Sequence, residues 1–157
     1  MASTITAANL RITITEQVTL NKKDQGGTTT QTISSINEVD SRIITVPSGS
    51  QTNLFSLSNN PSAGTFVTSS LKYARITNKD DSQHLRLRVS SSVSNGSVGI
   101  ASDFRVNPGD SFLLTNSKTT GSNPNGLNST FNYSDITGIF VEPSGSDIDV
   151  EYFIAST

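Results

Sequence analysis

The chain of 157 residues contains no cysteine and no tryptophan, and it has one histidine. The absence of cysteine excludes disulfide scaffolds, cysteine-ligated zinc sites and thiol nucleophiles. No apolar run approaches the roughly 18 residues that a membrane-spanning helix needs, so we expect no membrane partner. The first ten residues, MASTITAANL, lack the basic and apolar blocks of a signal peptide, which predicts synthesis in the cytoplasm of the producing cell.

Charge is also scarce, since charged residues make up 15% of the chain and the formal net charge is −2. A slightly acidic chain is a poor candidate for binding nucleic acid through phosphate neutralisation, so no nucleic-acid partner is expected. The hydrophobic fraction of 32% is low for a globular domain. Disordered chains, however, combine low hydrophobicity with high net charge. The composition therefore favours thin β-layers with polar outer faces, and the length fits one domain.

Hydrophobic residues alternate with polar ones in several segments, which is the two-residue period of a half-buried strand. Residues 10–20 form one such segment, with an apolar even-numbered face, and we expect it to pair with residues 28–39. A flexible connection, residues 21–27, includes two glycines that can adopt positive φ. Residues 71–89 predict two strands around a polar turn, and we place this pair at the centre of a sheet.

Turn signals separate the predicted strands. Asn95-Gly96 favours a tight hairpin, and Asn107-Pro108-Gly109-Asp110 favours a turn in which glycine follows proline. No segment shows a capped helical period. We therefore predict an all-β fold, an antiparallel two-sheet β-sandwich of jelly-roll-like type with about eight to ten short strands. The predicted domain organisation is a flexible N-terminal arm, residues 1–9, followed by one β-sandwich domain, residues 10–157.

Three groups of side chains are candidates for chemistry. His84 is interpreted as a surface residue beside a turn, because a general base also needs a nucleophile and an orienting partner. Asp147, Asp149 and Glu151 share one strand face, where they either bind a hard cation or form a solvated row that protects a sheet edge.

Arg86 and Arg88 also share a face, with Arg75 as a predicted cross-strand neighbour. They are expected to face either water or the acidic row of another subunit. No catalytic, phosphate-binding or cofactor-binding signature is present. We therefore predict a protein that is not an enzyme and that uses no cofactor or metal.

The longest irregular segment is residues 115–134, and a long loop of this kind is often functional. A carbohydrate-binding or receptor-binding module remains an alternative, with Tyr133 in this loop as the aromatic residue free to stack on a sugar. Flexible termini and long loops become ordered when a partner buries them. The candidate partner contacts are therefore Met1, Ala2, Ser3, Thr4, Ile5 and Thr6 in the arm, and Asn123, Asn125, Leu127, Phe131 and Tyr133 in the loop.

Four segments carry a resemblance to a known class of protein: NEVDSRIITVPSGSQTNLFSLS, YARITNKDDSQHLRLRV, FRVNPGDSFLLTNS and ITGIFVEPSGSDIDVEYFIAS. In their order of strands and turns they resemble small virion structural proteins of tailed bacteriophages. The resemblance implies a capsid decoration (cement) protein, a homo-oligomer with a trimer favoured, whose partner is the major capsid protein or another virion protein. It equally allows a neck, tail or fibre component, and in each case the expected location is the virion.

Overall fold

The computed structural model describes residues 6–58, 60, 62, 65–67, 71–91, 100–115, 121–122, 130–131 and 136–157. Within these ranges every regular element is a strand, and no helix is long and apolar enough to cross a membrane. The strands are β1 Ala8–Glu16, β2 Thr19–Leu20, β3 Lys23–Asp24, β4 Gly27–Ile36, β5 Glu38–Val46, β6 Thr52–Ser58, β7 Thr65–Val67, β8 Leu71–Asn78, β9 Leu85–Ser91, β10 Ile100–Val106, β11 Ser111–Leu114, β12 Gly121–Ser122, β13 Thr130–Phe131, β14 Ile136–Pro143 and β15 Ile148–Ser156.

Two sheets form the body of the molecule. The four-stranded sheet has the order β11-β8-β15-β5, and the five-stranded sheet has the order β10-β9-β14-β6-β7. Setting aside the separate strands β1–β4 and the short strands β7, β12 and β13, β5 pairs with β15, β6 with β14, β8 with β11 and β9 with β10. The first strand thus pairs with the last and the second with the penultimate, which is the pattern of a ribbon wrapped into a jelly roll. The predicted fold class is confirmed.

The core lies between the two sheets and follows from the alternation in the sequence. In β15, Ile148, Val150 and Ile154 are fully buried, while Asp149, Glu151 and Phe153 point away from the core. Burying a side chain of this size contributes about 1.5–3 kcal/mol. The other core side chains come from strands of both sheets: Val46, Leu54, Phe55, Leu57, Phe66, Leu71, Ala74, Ile76, Leu85, Leu87, Val89, Val106, Ile136, Ile139, Val141 and Tyr152.

The strands of residues 71–89 do not pair with each other, which corrects the prediction of a central pair. β8 lies between β11 and β15, whereas β9 lies between β10 and β14 in the other sheet. The connection, residues 79–84, therefore crosses the roughly 10 Å between packed sheets. Alternation identifies a strand but does not name its partner. Arg75 is consequently not a cross-strand neighbour of Arg86 or Arg88.

Asn78 forms hydrogen bonds that connect this crossing between the sheets to the next one, which leads from β10 to β11. Its side chain is fully buried, and Nδ2 donates to the carbonyls of Gln83 (2.8 Å) and Val106 (3.2 Å). Its Oδ1 accepts from Asp80 N at 3.0 Å. The backbone of Asn78 also bonds to Gly109 and Asp110 in the predicted Asn-Pro-Gly-Asp turn, where Gly109 has φ +74° as expected. That turn likewise connects opposite sheets, and Asn95-Gly96 lies outside the described residues.

The first segment of the chain forms a separate element, here called the N-terminal hairpin, residues 8–36. β1 pairs with β4, and β2 with β3 at the tip. The predicted pairing of residues 10–20 with 28–39 is thus confirmed in outline. The predicted single strand of residues 10–20 is wrong, since β1 ends at Glu16 and β2 is a separate strand, and β4 ends at Ile36. The predicted flexible connection is instead a two-residue turn, and Asn21 (φ 52°) and Lys22 (φ 66°) adopt the positive φ rather than glycines. The predicted flexible arm also overlaps β1, which begins at Ala8.

Candidate interaction surface

The N-terminal hairpin packs across the outer face of the four-stranded sheet. A second hydrophobic cluster joins Leu10, Ile12, Ile33 and Ile36 of the hairpin to Tyr73, Phe153 and Ala155 of the sheet. The hairpin starts beside β5, where Asn37 N donates to Ser156 O at 2.9 Å. At Gln31 it has reached the end of β11, since Gln31 Nε2 donates to Thr115 O at 3.4 Å. The hairpin therefore crosses the sheet from the β5 side to the β11 edge.

Beyond the β11 edge, no other described residue packs over the hairpin. Every residue from 13 to 32 is exposed. The exposed fraction is 42% for Ile14, 52% for Val18 and 63% for Leu20. These residues continue the even-numbered face of Leu10 and Ile12, since the register is unchanged from the Glu16–Gly27 pair to the Leu20–Lys23 pair. We call residues 13–30 the distal half of the hairpin.

An uncovered two-stranded ribbon of this kind is an unusual element. Two strands alone are marginally stable in water, and exposed apolar side chains in a row mark interaction surfaces. The opposite face is polar in the distal half: the hydroxyls of Thr13 and Thr30 (3.5 Å) and of Thr15 and Thr28 (3.4 Å) face each other across the strands, and Asp24 lies across from Thr19 near the tip. The distal half is therefore the leading candidate for contact with another molecule.

Gly26 gives a way to test the shape of the distal half. A Cβ at this position would lie 2.2 Å from the backbone oxygen of Glu16, so Gly26→Ala has to displace one strand from the other. We expect faster hydrogen exchange in the distal half and unchanged exchange in the core strands, measured by mass spectrometry. Gly49→Ala is not a matched control, because Gly49 has positive φ. Gly27→Ala is a matched control, because a Cβ at Gly27 would lie 4.0 Å from its nearest neighbouring atom, Glu16 Oε2. Equal exchange in both variants would contradict the prediction.

The hairpin leaves part of the outer face open on the β5 side. Val39 and Ile43 of β5 are 53% and 63% exposed there. Ile43 lies directly across from Glu151, which accepts from Arg75 and lies 3.8 Å from Lys79 Nζ. We call Val39, Ile43 and the adjoining acidic side chains the β5 patch.

The acidic row predicted on the last strand lies at this patch. Asp149 Oδ1 accepts from Thr45 Oγ1 at 2.7 Å, and Asp147 Oδ1 accepts from Ser48 N at 2.8 Å. Both of these donors are neutral, whereas Glu151 has cationic neighbours. In the part of the chain that the structure describes, no group of three His, Asp or Glu side chains could hold a metal ion. The row therefore provides negative charge beside Ile43.

The edge of β5 itself carries charges that hinder strand addition. Asp40 accepts from Arg42 Nε at 2.9 Å and from the Tyr152 hydroxyl at 3.1 Å. Burial, together with the hydrogen bond to Asp40, raises the pKa of Tyr152, so the hydroxyl remains a donor at neutral pH. Charged side chains directed inward on an edge strand are a common protection against pairing with another chain. A partner that approaches β5 therefore contacts the outer-face side chains more easily than the backbone of the β5 edge.

The outer face of the five-stranded sheet has a different chemistry. Arg88 binds Asp103 with Nε–Oδ1 at 2.6 Å and Nη2–Oδ2 at 2.8 Å. Arg86 Nη2 lies 3.0 Å from Glu142 Oε2. These arginines were expected to face either water or the acidic row of another subunit. The contacts that the structure describes are instead with acidic residues on neighbouring strands of the same chain. This face is therefore internally paired rather than a free basic stripe.

The Arg88–Asp103 pair predicts a pH dependence of stability. The hydrogen bond from Arg88 lowers the pKa of Asp103. Because the folded pKa lies below the unfolded value, the stabilisation is present above about pH 4 and is lost as the pH falls through the folded pKa. We expect Asp103→Asn to be less stable than the unmodified chain at pH 7, and the difference to shrink as the pH falls below about 4, measured by urea unfolding across an acid series. A difference that stays constant over that series would contradict this account.

The turns at one end of the jelly roll form a shallow polar pocket. Its volume is about 330 Å³, and it is lined by Thr77, Asn78, Lys79, Asp80, Asp81, Pro108 and Gly109. Backbone and side-chain donors of Ser82 and Gln83 hold the Asp80 carboxylate and lower its pKa, so it stabilises the turn. His84 is half-buried before β9, and its carbonyl accepts from Ser144 N at 3.1 Å. The pocket is built from turn contacts of this kind.

The predicted contact residues are only partly visible. Met1 to Ile5, Asn123, Asn125, Leu127 and Tyr133 lie outside the described residues, while Thr6 is exposed before β1. Phe131 is in β13, which pairs with β12, so the segment of residues 115–134 contains a short strand pair. The distal hairpin was not among the predicted contacts. Its signal was present, because the apolar face of residues 10–20 continued to Leu20.

Comparison of the chain with protein families, with curated proteins and with solved structures gives no match. The surface is therefore interpreted from its own chemistry. The projecting ribbon exposes Ile14, Val18 and Leu20 on one face, with Glu16 between them, and the β5 patch exposes Val39 and Ile43; exposed apolar groups of this kind mark interaction surfaces.

Proposed function

We propose that the chain is a non-enzymatic structural subunit of a virion, most simply a decoration (cement) protein that oligomerises on the head of a tailed bacteriophage. The observation that carries this proposal is the uncovered distal half of the N-terminal hairpin. The jelly roll adds support, since this architecture recurs in viral capsid domains. The resemblance of the four segments to small phage virion proteins supplies the biological setting.

The energetics favour a role in assembly. Ile14, Val18 and Leu20 together leave a large apolar area in water. Moving such a side chain from full exposure to full burial contributes about 1.5–3 kcal/mol, so covering the exposed part of each, 42–63%, contributes proportionally less. The entropy lost on association reduces the net gain further. An element that is marginal alone and stabilised by a neighbour is suited to joining subunits in a shell. The partners proposed are further copies, with a trimer favoured, and the major capsid protein.

The test is the mass of the purified protein in solution by light scattering, followed by co-sedimentation with empty heads of the phage that encodes it. A stable trimer that sediments with heads supports the proposal. A larger ring that ignores heads favours a neck, tail or fibre component instead. A monomer that binds neither heads nor other copies would overturn the structural role.

Two truncations separate the candidate contacts. Deleting residues 1–7 removes the part of the predicted arm that precedes β1 and leaves β1 intact. Replacing residues 14–29 with Asn-Gly removes the distal half and retains the Thr13–Thr30 pair. We expect the second variant to lose binding to heads or to other copies. Loss confined to the first variant would assign attachment to the N-terminal arm.

A further inference from the structure

We infer that the distal half of the hairpin in one copy of the chain packs on the β5 patch of a second copy. The inference rests on the proposed function only in taking the chain to be a self-assembling subunit. The partner is a second copy, and the contact joins Ile14, Val18 and Leu20 to Val39 and Ile43. The four-stranded sheet thereby becomes the surface through which successive copies are linked.

The first argument is that the molecule already makes this kind of contact with itself. The proximal part of the even-numbered hairpin face, Leu10 and Ile12, packs on the outer face of the four-stranded sheet against Tyr73 and Phe153. Ile14, Val18 and Leu20 continue that hairpin face, and Val39 and Ile43 belong to that same sheet face. The proposed contact therefore extends an interface that is present in the fold.

The second argument is the direction of the hairpin. It starts on the β5 side and passes the β11 edge near Thr115, so its distal half points away from its own β5 patch. From Ile12, at the β11 edge, to Leu20 the ribbon extends about 26 Å at 3.3 Å per residue. A four-stranded sheet is roughly 14 Å wide, so the projecting ribbon is long enough to lie across the edge strand of a second copy. One edge of each copy thus supplies the hairpin and the opposite edge supplies the patch. Such a head-to-tail contact closes into a ring when the rotation between copies permits it.

The third argument is charge. The tip carries Lys22 and Lys23 beside Leu20, and both lysines are exposed. The β5 patch carries Asp147 and Asp149, whose described hydrogen-bond donors are neutral. Lys23 is directly across from Leu20 and shares its face, and Asp149 pairs with Thr45, the next outer-face position along β5 from Ile43. Placing Leu20 against Ile43 therefore brings Lys23 near the Asp149 carboxylate. Opposite charges at the rim of an interface orient the partners and raise the association rate.

The fourth argument concerns the mode of contact. The Asp40–Arg42 pair protects the backbone edge of β5 against the addition of a strand. The side chains of Val39 and Ile43 nevertheless point to the outer face and remain open. The contact is therefore between the faces of the hairpin and the sheet, with the hairpin strands lying across β5.

The test uses the absence of cysteine from the chain. Full-length Leu20→Cys carrying an affinity tag is mixed with untagged Ile43→Cys, and oxidised glutathione is added as the oxidant. Binding raises the effective concentration of the two thiols into the millimolar range, so a mixed disulfide dimer forms much faster than from unbound chains. The matched control replaces Ile43→Cys with Ala101→Cys, an exposed apolar residue on an edge strand of the other sheet.

A second measurement does not depend on disulfide geometry. Ile43→Asp is expected to lower the solution mass by light scattering to that of the monomer, whereas Ala101→Asp keeps the mass of the unmodified chain. Both variants change one exposed residue, and thermal unfolding verifies that each remains folded. Increasing the salt concentration is expected to slow association, because the lysine and aspartate contacts lie at the surface.

The inference is overturned if the Leu20→Cys and Ile43→Cys mixture reacts no faster than the control and Ile43→Asp retains the multimer. If that same multimer sediments with phage heads, the proposed function stands and a different surface joins the copies. If the unmodified chain is a monomer and ignores heads, the proposed function fails together with the inference.

Discussion

Replacing Asn78 with leucine is expected to lower the free energy of unfolding by about 2–5 kcal/mol. The substitution keeps the branch at Cγ but removes the donor to the carbonyls of Gln83 and Val106 and the acceptor for Asp80 N. The Val106 carbonyl, whose bond is buried, costs about 1–3 kcal/mol when left without this donor, and the Gln83 carbonyl and Asp80 N–H, whose bonds are part-buried, each cost less because water reaches them. Because these groups belong to the two crossings between sheets, the loss is expected to appear in global unfolding, measured with urea.

The control for this prediction is Asn53→Leu. Asn53 is exposed on β6, and its Nδ2 donates to Ser56 Oγ at 2.6 Å in a solvated position. Water replaces the lost partner there, so the change is expected to stay within about 0.5 kcal/mol. If Asn78→Leu were as mild as Asn53→Leu, the hydrogen bonds of Asn78 would not be what joins the crossings.

Phe55→Ala is expected to destabilise the protein by about 3–5 kcal/mol, the usual range for removing a buried phenylalanine. Phe55 is on β6 of the five-stranded sheet, and its ring centroid lies 6.0 Å from that of Phe66 in an edge-to-face arrangement. It also lies 6.4 Å from the ring of Tyr152, which belongs to the other sheet. The substitution leaves a cavity between the sheets, and thermal and urea unfolding both measure its cost.

Phe104→Ala removes the same atoms at a different place and serves as the matched control. Phe104 is partly exposed on the edge strand β10 and stacks on Phe112 with a centroid distance of 4.8 Å. It loses one aromatic contact and a smaller buried area, so we expect about 1–2 kcal/mol. Equal losses at the two positions would mean that the sheets close up around the missing Phe55 ring.

Strands and turns follow directly from the sequence. The alternation of Ile148, Val150 and Ile154 with acidic residues predicts both the strand and its buried face, because strand side chains point alternately to opposite sides. The Pro108-Gly109 turn is equally local, since Gly109 has the positive φ that glycine tolerates best. The absence of a helical period likewise predicts an all-β fold, and these features depend on neighbouring residues only.

Pairing does not follow from local pattern. The segment of residues 71–89 reads as a hairpin, yet β8 and β9 belong to different sheets. A hairpin and a crossing between sheets show the same alternation of apolar and polar residues. A strand buries one face whether it pairs with the next strand in the sequence or with a distant one. Asn78 shows the same limit, since an asparagine at a turn gives no sign that it bonds to Val106 across the fold.

The candidate interaction surface is partly predictable from the local sequence, as the strands and turns are, and partly not, as with strand pairing. Alternation over residues 10–20 predicts strand structure with an apolar face that reaches Leu20. Which part of that face is covered is visible only in the folded molecule, where the sheet covers Leu10 and Ile12 while Ile14, Val18 and Leu20 pass beyond its edge. Strand periodicity sets the direction of each side chain, whereas burial depends on what lies opposite it. At the distal half of the hairpin, the proposed answer is a second copy of the chain.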